Sequence, residues 1–156
     1  LSKQHFYNIE SNQHVSLPLS ENTRALFSLG GGALIYSDLY DLAAPLRFYA
    51  GGIGTVRGYA YKSLGPFVGG QLAGGRYLLH GNLDLEYHVY NNWIVSSFYD
   101  VGNAFNNIHS TKWYEGSGVG LGIRSSVATF LVYFSRPVSQ DQNHKWRIDL
   151  SLGANL

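Results

Sequence analysis

Apolar residues recur at every second position over much of this chain. The helical signature, apolar residues three and four apart, is almost absent. Near the end, Trp146, Ile148, Leu150 and Leu152 alternate with Lys145, Arg147, Asp149 and Ser151. Leu83, Leu85, Tyr87 and Val89 alternate with Asn82, Asp84, Glu86 and His88, and Val119, Leu121 and Ile123 with Gly118, Gly120, Gly122 and Arg124. Ala128, Phe130, Val132 and Phe134 form a row opposite Thr129, Leu131, Tyr133 and Ser135. Over 92–103, Trp93, Val95, Ser97, Tyr99 and Val101 oppose Ile94, Ser96, Phe98, Asp100 and Gly102. Weaker alternation marks about 5–18 and 23–36, with Pro18 closing the first stretch rather than interrupting it. The pattern predicts about seven strands of about ten residues each, and no second domain.

The predicted connections are of two kinds. Short turns fall at 20–22, 90–92 and 125–126, and long links at 37–74, 104–113 and 137–144. Short turns at one end and long loops at the other, joining half-polar strands, are the pattern of an antiparallel outer-membrane β-barrel. Trp93, Tyr99, Trp113, Tyr114 and Trp146, near strand ends, suit the interfacial aromatic girdles of such a barrel. A soluble antiparallel sandwich stays open on this pattern alone. Seven is an awkward number, because an open sheet leaves two unpaired edges that lipid cannot solvate. The expectation is therefore the C-terminal part of a larger barrel.

Composition sharpens this. A length of 156 residues would suit one complete domain, yet charged residues make up only 13%, about half the usual share. Mean hydropathy of −0.10 suggests water solubility, but strands that alternate between lipid and lumen give the same value. There is no Cys, which excludes disulfides and thiolate chemistry, and no Met, so Leu1 reads as an internal residue. A net charge of +1 without a basic run gives no case for nucleic acid as a partner. No apolar run is long enough for a membrane helix, and no stretch of these residues is expected to be a signal peptide.

Candidate chemistry is sparse. His80 and His88 lie on one strand face about 26 Å apart, at ~3.3 Å per residue, too far to share an ion. His5, His14, His109 and His144 have no ligand spacing, and no Gly-x-Ser-x-Gly elbow occurs. Neither metal, cofactor nor catalytic residue is expected. The glycines at 116, 118, 120 and 122 leave room on one face, either for bulky neighbours or for an inserted loop.

The most unusual stretch is 48–66, inside the longest link. A structureless link of such length is uncommon unless functional or disordered. Gly52-x-Gly54 lacks the third glycine and the helix of a phosphate-binding turn. If the loop folds into the barrel, Arg57 is partly desolvated and needs carboxylates. Strand phase offers Asp84, Glu86 and Asp100, each pair worth about 4 kcal/mol at ~4 Å and an effective dielectric near 20, before desolvation. An exposed loop with a solvated Arg57 is the alternative.

The run Gly51-Gly52-x-x-Thr55-Val56-Arg57-Gly58-Tyr59, followed by Tyr61, Ser63 and Gly65-Pro66, resembles the sixth extracellular loop of the BamA/TamA superfamily. Leu-Glu-Tyr at 85–87 and Phe-Tyr-Asp-Val-Gly at 98–102 are similar to that family's motifs in the next two strands. The resemblance covers most of the chain and is strongest from Leu46 onward. It implies the last seven strands of a sixteen-stranded barrel in the outer membrane of a Gram-negative bacterium, with the loop at about 37–74 folded into the lumen. It narrows the partners of Arg57 to Asp100 and Glu86, a latch without catalysis. It also implies outer-membrane lipids, β-barrel or autotransporter clients, and an inner-membrane or periplasmic partner acting through upstream POTRA domains. A lateral seam is implied at about 145–155, the strand of Trp146, Ile148, Leu150 and Leu152. Tyr-Ala-Tyr-Lys-Ser at 59–63 and the closing Leu-Ser-Leu-Gly-Ala-Asn-Leu look closer to TamA, although Leu156 departs from the usual terminal aromatic. Two-partner secretion pores and barrel-anchored patatin-like lipases carry related loops and remain alternatives.

Overall fold

The computed structural model describes residues 6–36, 42–139 and 145–154. In chain order the strands are β1 (Tyr7–Pro18), β2 (Thr23–Ile35), β3 (Phe67–Val68), β4 (Gln71–Leu72), β5 (Tyr77–Tyr90), β6 (Trp93–Phe105), β7 (Tyr114–Arg124), β8 (Ala128–Pro137) and β9 (Arg147–Ala154). Seven of them form one sheet in the order β1-β2-β5-β6-β7-β8-β9, every neighbouring pair antiparallel. The chain is all-β, and its sheet is an up-and-down meander with β1 and β9 as edges. Predicted positions at 5, 37–41, 140–144 and 155–156, His5, His144 and Leu156 among them, lie outside the described residues.

Alternation decides the faces. Trp93, Val95 and Tyr99 on β6, Val119, Leu121 and Ile123 on β7, and Ile148, Leu150 and Leu152 on β9 are exposed on the outer face. The other face carries buried Ile94, Ser96, Phe98 and Asp100 from β6, and Leu131, Tyr133 and Ser135 from β8. That face is concave: His14 of β1 and Ser151 of β9 line one cavity of about 560 Å³ with Arg24 and Glu86. An apolar surface turned outward and a polar, filled interior invert a water-soluble fold.

Several strands exceed ten residues, β5 reaching 14. Their extra length lies at the long-loop end, where Phe105 packs against Tyr77 and Trp113 at ring distances of 5.8 and 5.9 Å. Trp113 is therefore tied to Phe105, Tyr114 turns inward against the loop, and Tyr99 sits at the centre of β6 rather than near its end, so of the five expected girdle residues Trp93 and Trp146 are the ones exposed near strand ends. The small hairpin β3–β4 was not foreseen. Gly69 and Gly70 make its turn at φ 58° and 81°, the left-handed pair that a two-residue hairpin turn requires.

The long link between β2 and β5 folds back over the concave face. Bridges Phe48–Gly75 and Ala50–Leu64 give it a frame. Phe48 joins Leu34, Tyr36, Leu42 and Ala104 in one apolar cluster; Ala50, Val56, Tyr59 and Leu64 form a second. These two clusters pack the loop into its own sheet, and a third, Phe98, Leu131 and Tyr133, joins β6 to β8.

Candidate functional site

Each residue of the loop motif has a local task. The Gly51 N–H donates to Thr55 Oγ1 at 2.8 Å, and Gly52 N–H to the Val56 carbonyl at 3.0 Å, closing a tight turn. Asn82 Nδ2 donates to the Thr55 carbonyl at 2.6 Å, fastening that turn to β5. Val56 is fully buried, and Tyr59 donates its hydroxyl to the Glu115 carbonyl at 3.1 Å while meeting Tyr114 edge-on. Burial raises the Tyr59 pKa, keeping that hydroxyl a donor. At Gly58, φ is +91°, and a Cβ would stand 2.6 Å from the Arg136 backbone. A Cβ on Gly116 would strike the Arg57 carbonyl. The loop apex therefore reaches the sheet only because both positions are glycine.

This docking sets Arg57 over two carboxylates. Its backbone N–H and Nε donate to Asp100 Oδ2 at 2.9 and 2.8 Å, and Nη2 donates to Asp100 Oδ1 at 2.7 Å. Nη1 and Nη2 each donate to Asp84, at 2.8 Å. Asp100 is fully buried and Arg57 is 5% exposed. The guanidinium also lies over the rings of Phe98 (3.7 Å) and Tyr133 (4.6 Å), which meet at 89°. Burial opposes the charge on Arg57, but bonds and charges from Asp100 and Asp84 outweigh it and raise its pKa. A planar fork, paired on two edges and stacked on its face, is a geometry that lysine could not reproduce.

Comparison with known proteins agrees with the fold. The family model for the Omp85 superfamily domain matches residues 1–155. The chain belongs to the Omp85 superfamily. Among solved structures it is similar to BamA from Haemophilus ducreyi lacking POTRA domains 1–3, with a TM-score of 0.76 at 15% identity. That match covers 97% of this chain and 36% of the BamA chain, so this chain spans about a third of that structure's length. Membership of the family puts this Omp85 sheet in the outer membrane of a Gram-negative bacterium.

Within the Omp85 sheet the structure departs from expectation at Glu86. The expected trio was Arg57, Asp100 and Glu86; the residue beside Arg57 is Asp84. Register explains the difference. Asn82 lies opposite Asp100, Asp84 opposite Phe98, and Glu86 opposite Ser96. Asp84 is thus the diagonal neighbour of Asp100, about 7–8 Å away. Glu86 is four residues past Asn82, about 13 Å further along the strand. Its Oε2 accepts instead from Arg24 Nε at 2.6 Å and from Arg124 Nη2. Arg124 also donates to His88 Nε2 at 2.6 Å and to Thr129 Oγ1 at 3.2 Å. This second cluster joins β2, β5, β7 and β8 at the short-turn end.

Other assignments can be read off directly. Gly116 makes room for the loop, whereas Gly118 and Gly120 make room for Phe98 and Tyr133, so both readings of the glycine row hold at different positions. His80 is buried, with Nδ1 3.1 Å from Asn82 Oδ1, and no group of metal-ligating side chains occurs among the described residues. Phe98, Tyr133, Arg24 and Arg124 were not foreseen as site residues. Phe98 and Tyr133 share the parity of Asp100 and Thr129 respectively, a signal that marked their face without marking their role. Ile148, Leu150 and Leu152 form the exposed outer row of the edge strand β9, and Trp146, also exposed, stands one residue before it.

Proposed function

We propose that this chain is the latch-bearing C-terminal part of an outer-membrane protein assembly and translocation barrel, closest to the TamA branch. The observation that carries this reading is the fivefold attachment of Arg57 to Asp100 and Asp84, which fixes a long loop against the concave face. Nothing in that cluster is arranged for bond making: the guanidinium is fully charged, and the acids are occupied by it. Its work is conformational, holding the loop inside so that the barrel keeps one shape while clients engage elsewhere. The protein is not an enzyme on this reading. Nine further strands would pair with the free edge of β1 to complete a sixteen-stranded barrel, and POTRA domains would reach periplasmic or inner-membrane partners. β9, with its row Trp146, Ile148, Leu150 and Leu152, is the seam strand, whose edge can exchange partners by strand addition.

The test is loop protection and client assembly measured together. Arg57→Ala and Asp100→Ala should each expose the loop to added protease and reduce insertion of β-barrel or autotransporter clients. Normal insertion with a protected loop in both variants would overturn the reading. Loss of exoprotein release with normal client insertion would favour the two-partner secretion pore instead.

A further inference from the structure

The edge strand β9 is unusual in how little specifies its register. Its outer row is apolar at Ile148, Leu150 and Leu152, and Trp146 just before the strand continues the alternation. A one-residue slip would turn that row inward and is excluded. A two-residue slip keeps every apolar side chain outward and every backbone group in phase. The connection from β8 is long, so no tight turn fixes the pairing as a two-residue hairpin would.

Two side-chain contacts break this degeneracy. On the outer face the Arg136 guanidinium lies over the Trp146 ring at 5.6 Å, a contact that a Trp146→Cys probe removes, and the second contact is on the inner face. Ser135, fully buried on the inner face of β8, donates to Asp149 Oδ2 at 2.7 Å, with the Arg147 carbonyl at 3.3 Å. Ser135 pairs with Arg147 and Tyr133 with Asp149, so the bond is diagonal. Sliding β9 two residues toward the short-turn end would bring Asp149 opposite Leu131, four positions from Ser135. The hydroxyl would then lose its carboxylate in a buried site. The opposite slide brings Asp149 level with Ser135 and keeps them in reach, so the contact resists motion in one direction only.

We infer that Asp149 and Ser135 are positioning residues that stop β9 from sliding toward the short-turn end. The functional consequence rests on the reading of β9 as the seam strand; the register role does not. Asp149 is the acceptor and Ser135 the donor, so an amide oxygen at 149 can replace the carboxylate, whereas a methyl group cannot.

Disulfide trapping in the full-length membrane protein, with any cysteine outside these 156 residues replaced by serine, reads the register directly, since the 156 themselves supply none. Phe134 lies opposite Ile148, and the inward slide would put it opposite Trp146. In otherwise native protein, Phe134→Cys with Ile148→Cys should cross-link, and Phe134→Cys with Trp146→Cys should do so poorly. Adding Asp149→Ala should raise the second product about tenfold, the population change for losing one charge-assisted hydrogen bond. Asp149→Asn should leave it low. Ser135→Ala should reproduce Asp149→Ala, and it decides the matter should Asp149→Ala fail to assemble. An unchanged second product in Ser135→Ala would overturn the inference. Client insertion in Asp149→Ala and Ser135→Ala, without the cysteines, is scored separately. A shifted register with normal insertion would sink the seam reading and leave the register role standing. Reduced insertion with an unshifted register would do the reverse.

Discussion

Asp84 and Glu86 have the same charge, the same strand and the same face, yet different partners. Arg57 takes Asp84 because its own backbone N–H is bonded to Asp100, which fixes its height on the sheet. Substitution should separate the two acids. Asp84→Asn removes a charge from two of the bonds to Arg57 and should weaken the docked loop by about 1.5–3 kcal/mol. Faster cleavage of the loop by protease would register that loss. Glu86→Gln should leave cleavage unchanged, since Glu86 has no bond to the loop, and equal sensitivity in both variants would refute the assignment. Gly58→Ala tests the same docking without touching a charge. A methyl group there meets the Arg136 backbone at a φ that alanine rarely adopts, so the loop should become cleavable although Arg57, Asp84 and Asp100 all remain.

At the scale of strands, the two ion clusters hold different parts of the sheet. Arg57 joins the loop to β5 and β6, whereas Glu86 links β2 to β7 across the two strands between them. Glu86→Gln should therefore leave Arg24 and Arg124 facing each other without a counter-charge. The expected result is a lower unfolding temperature of the membrane-inserted barrel with the loop still protected, read by heat-dependent gel mobility. Which features could be read from sequence follows from the range of the forces involved. The seven long strands were legible because a two-residue alternation is local, and Pro18 and the short turns punctuate it. Arg57, Asp100 and the loop motif were legible as residue types and by resemblance. The choice of Asp84 over Glu86 was not, because parity is shared and only register sets height. Arg24 and Arg124 were hidden for a related reason: β2 meets β5 only after the long loop has closed, and Arg124 on β7 reaches Glu86 across β6, so the chain announces neither contact. The β3–β4 hairpin carried its Gly-Gly turn signal, but strands of two residues are too short to alternate.

The whole molecule turns its apolar rows outward and gathers its charges within, and that inversion makes a decisive prediction. Val119 sits midway along β7 between Ser97 and Phe134, with its side chain on the outer face. In a bilayer, Val119→Arg would bring a charge against hydrocarbon at a cost of about 2–4 kcal/mol near the midplane. Ser28 lies on the inner face, beside a cavity of about 360 Å³ that it shares with His14, Asn82, Asp84 and Arg57. Ser28→Arg meets polar groups and open volume there, though also the Arg57 charge, so it should cost less than Val119→Arg. Urea titration of the two variants in lipid vesicles compares them directly. A soluble sandwich predicts the reverse order, because its exposed Val119 would face water and a filled, dry core would lie behind Ser28. The sign of this one difference therefore tests the membrane reading independently of the seam and every client.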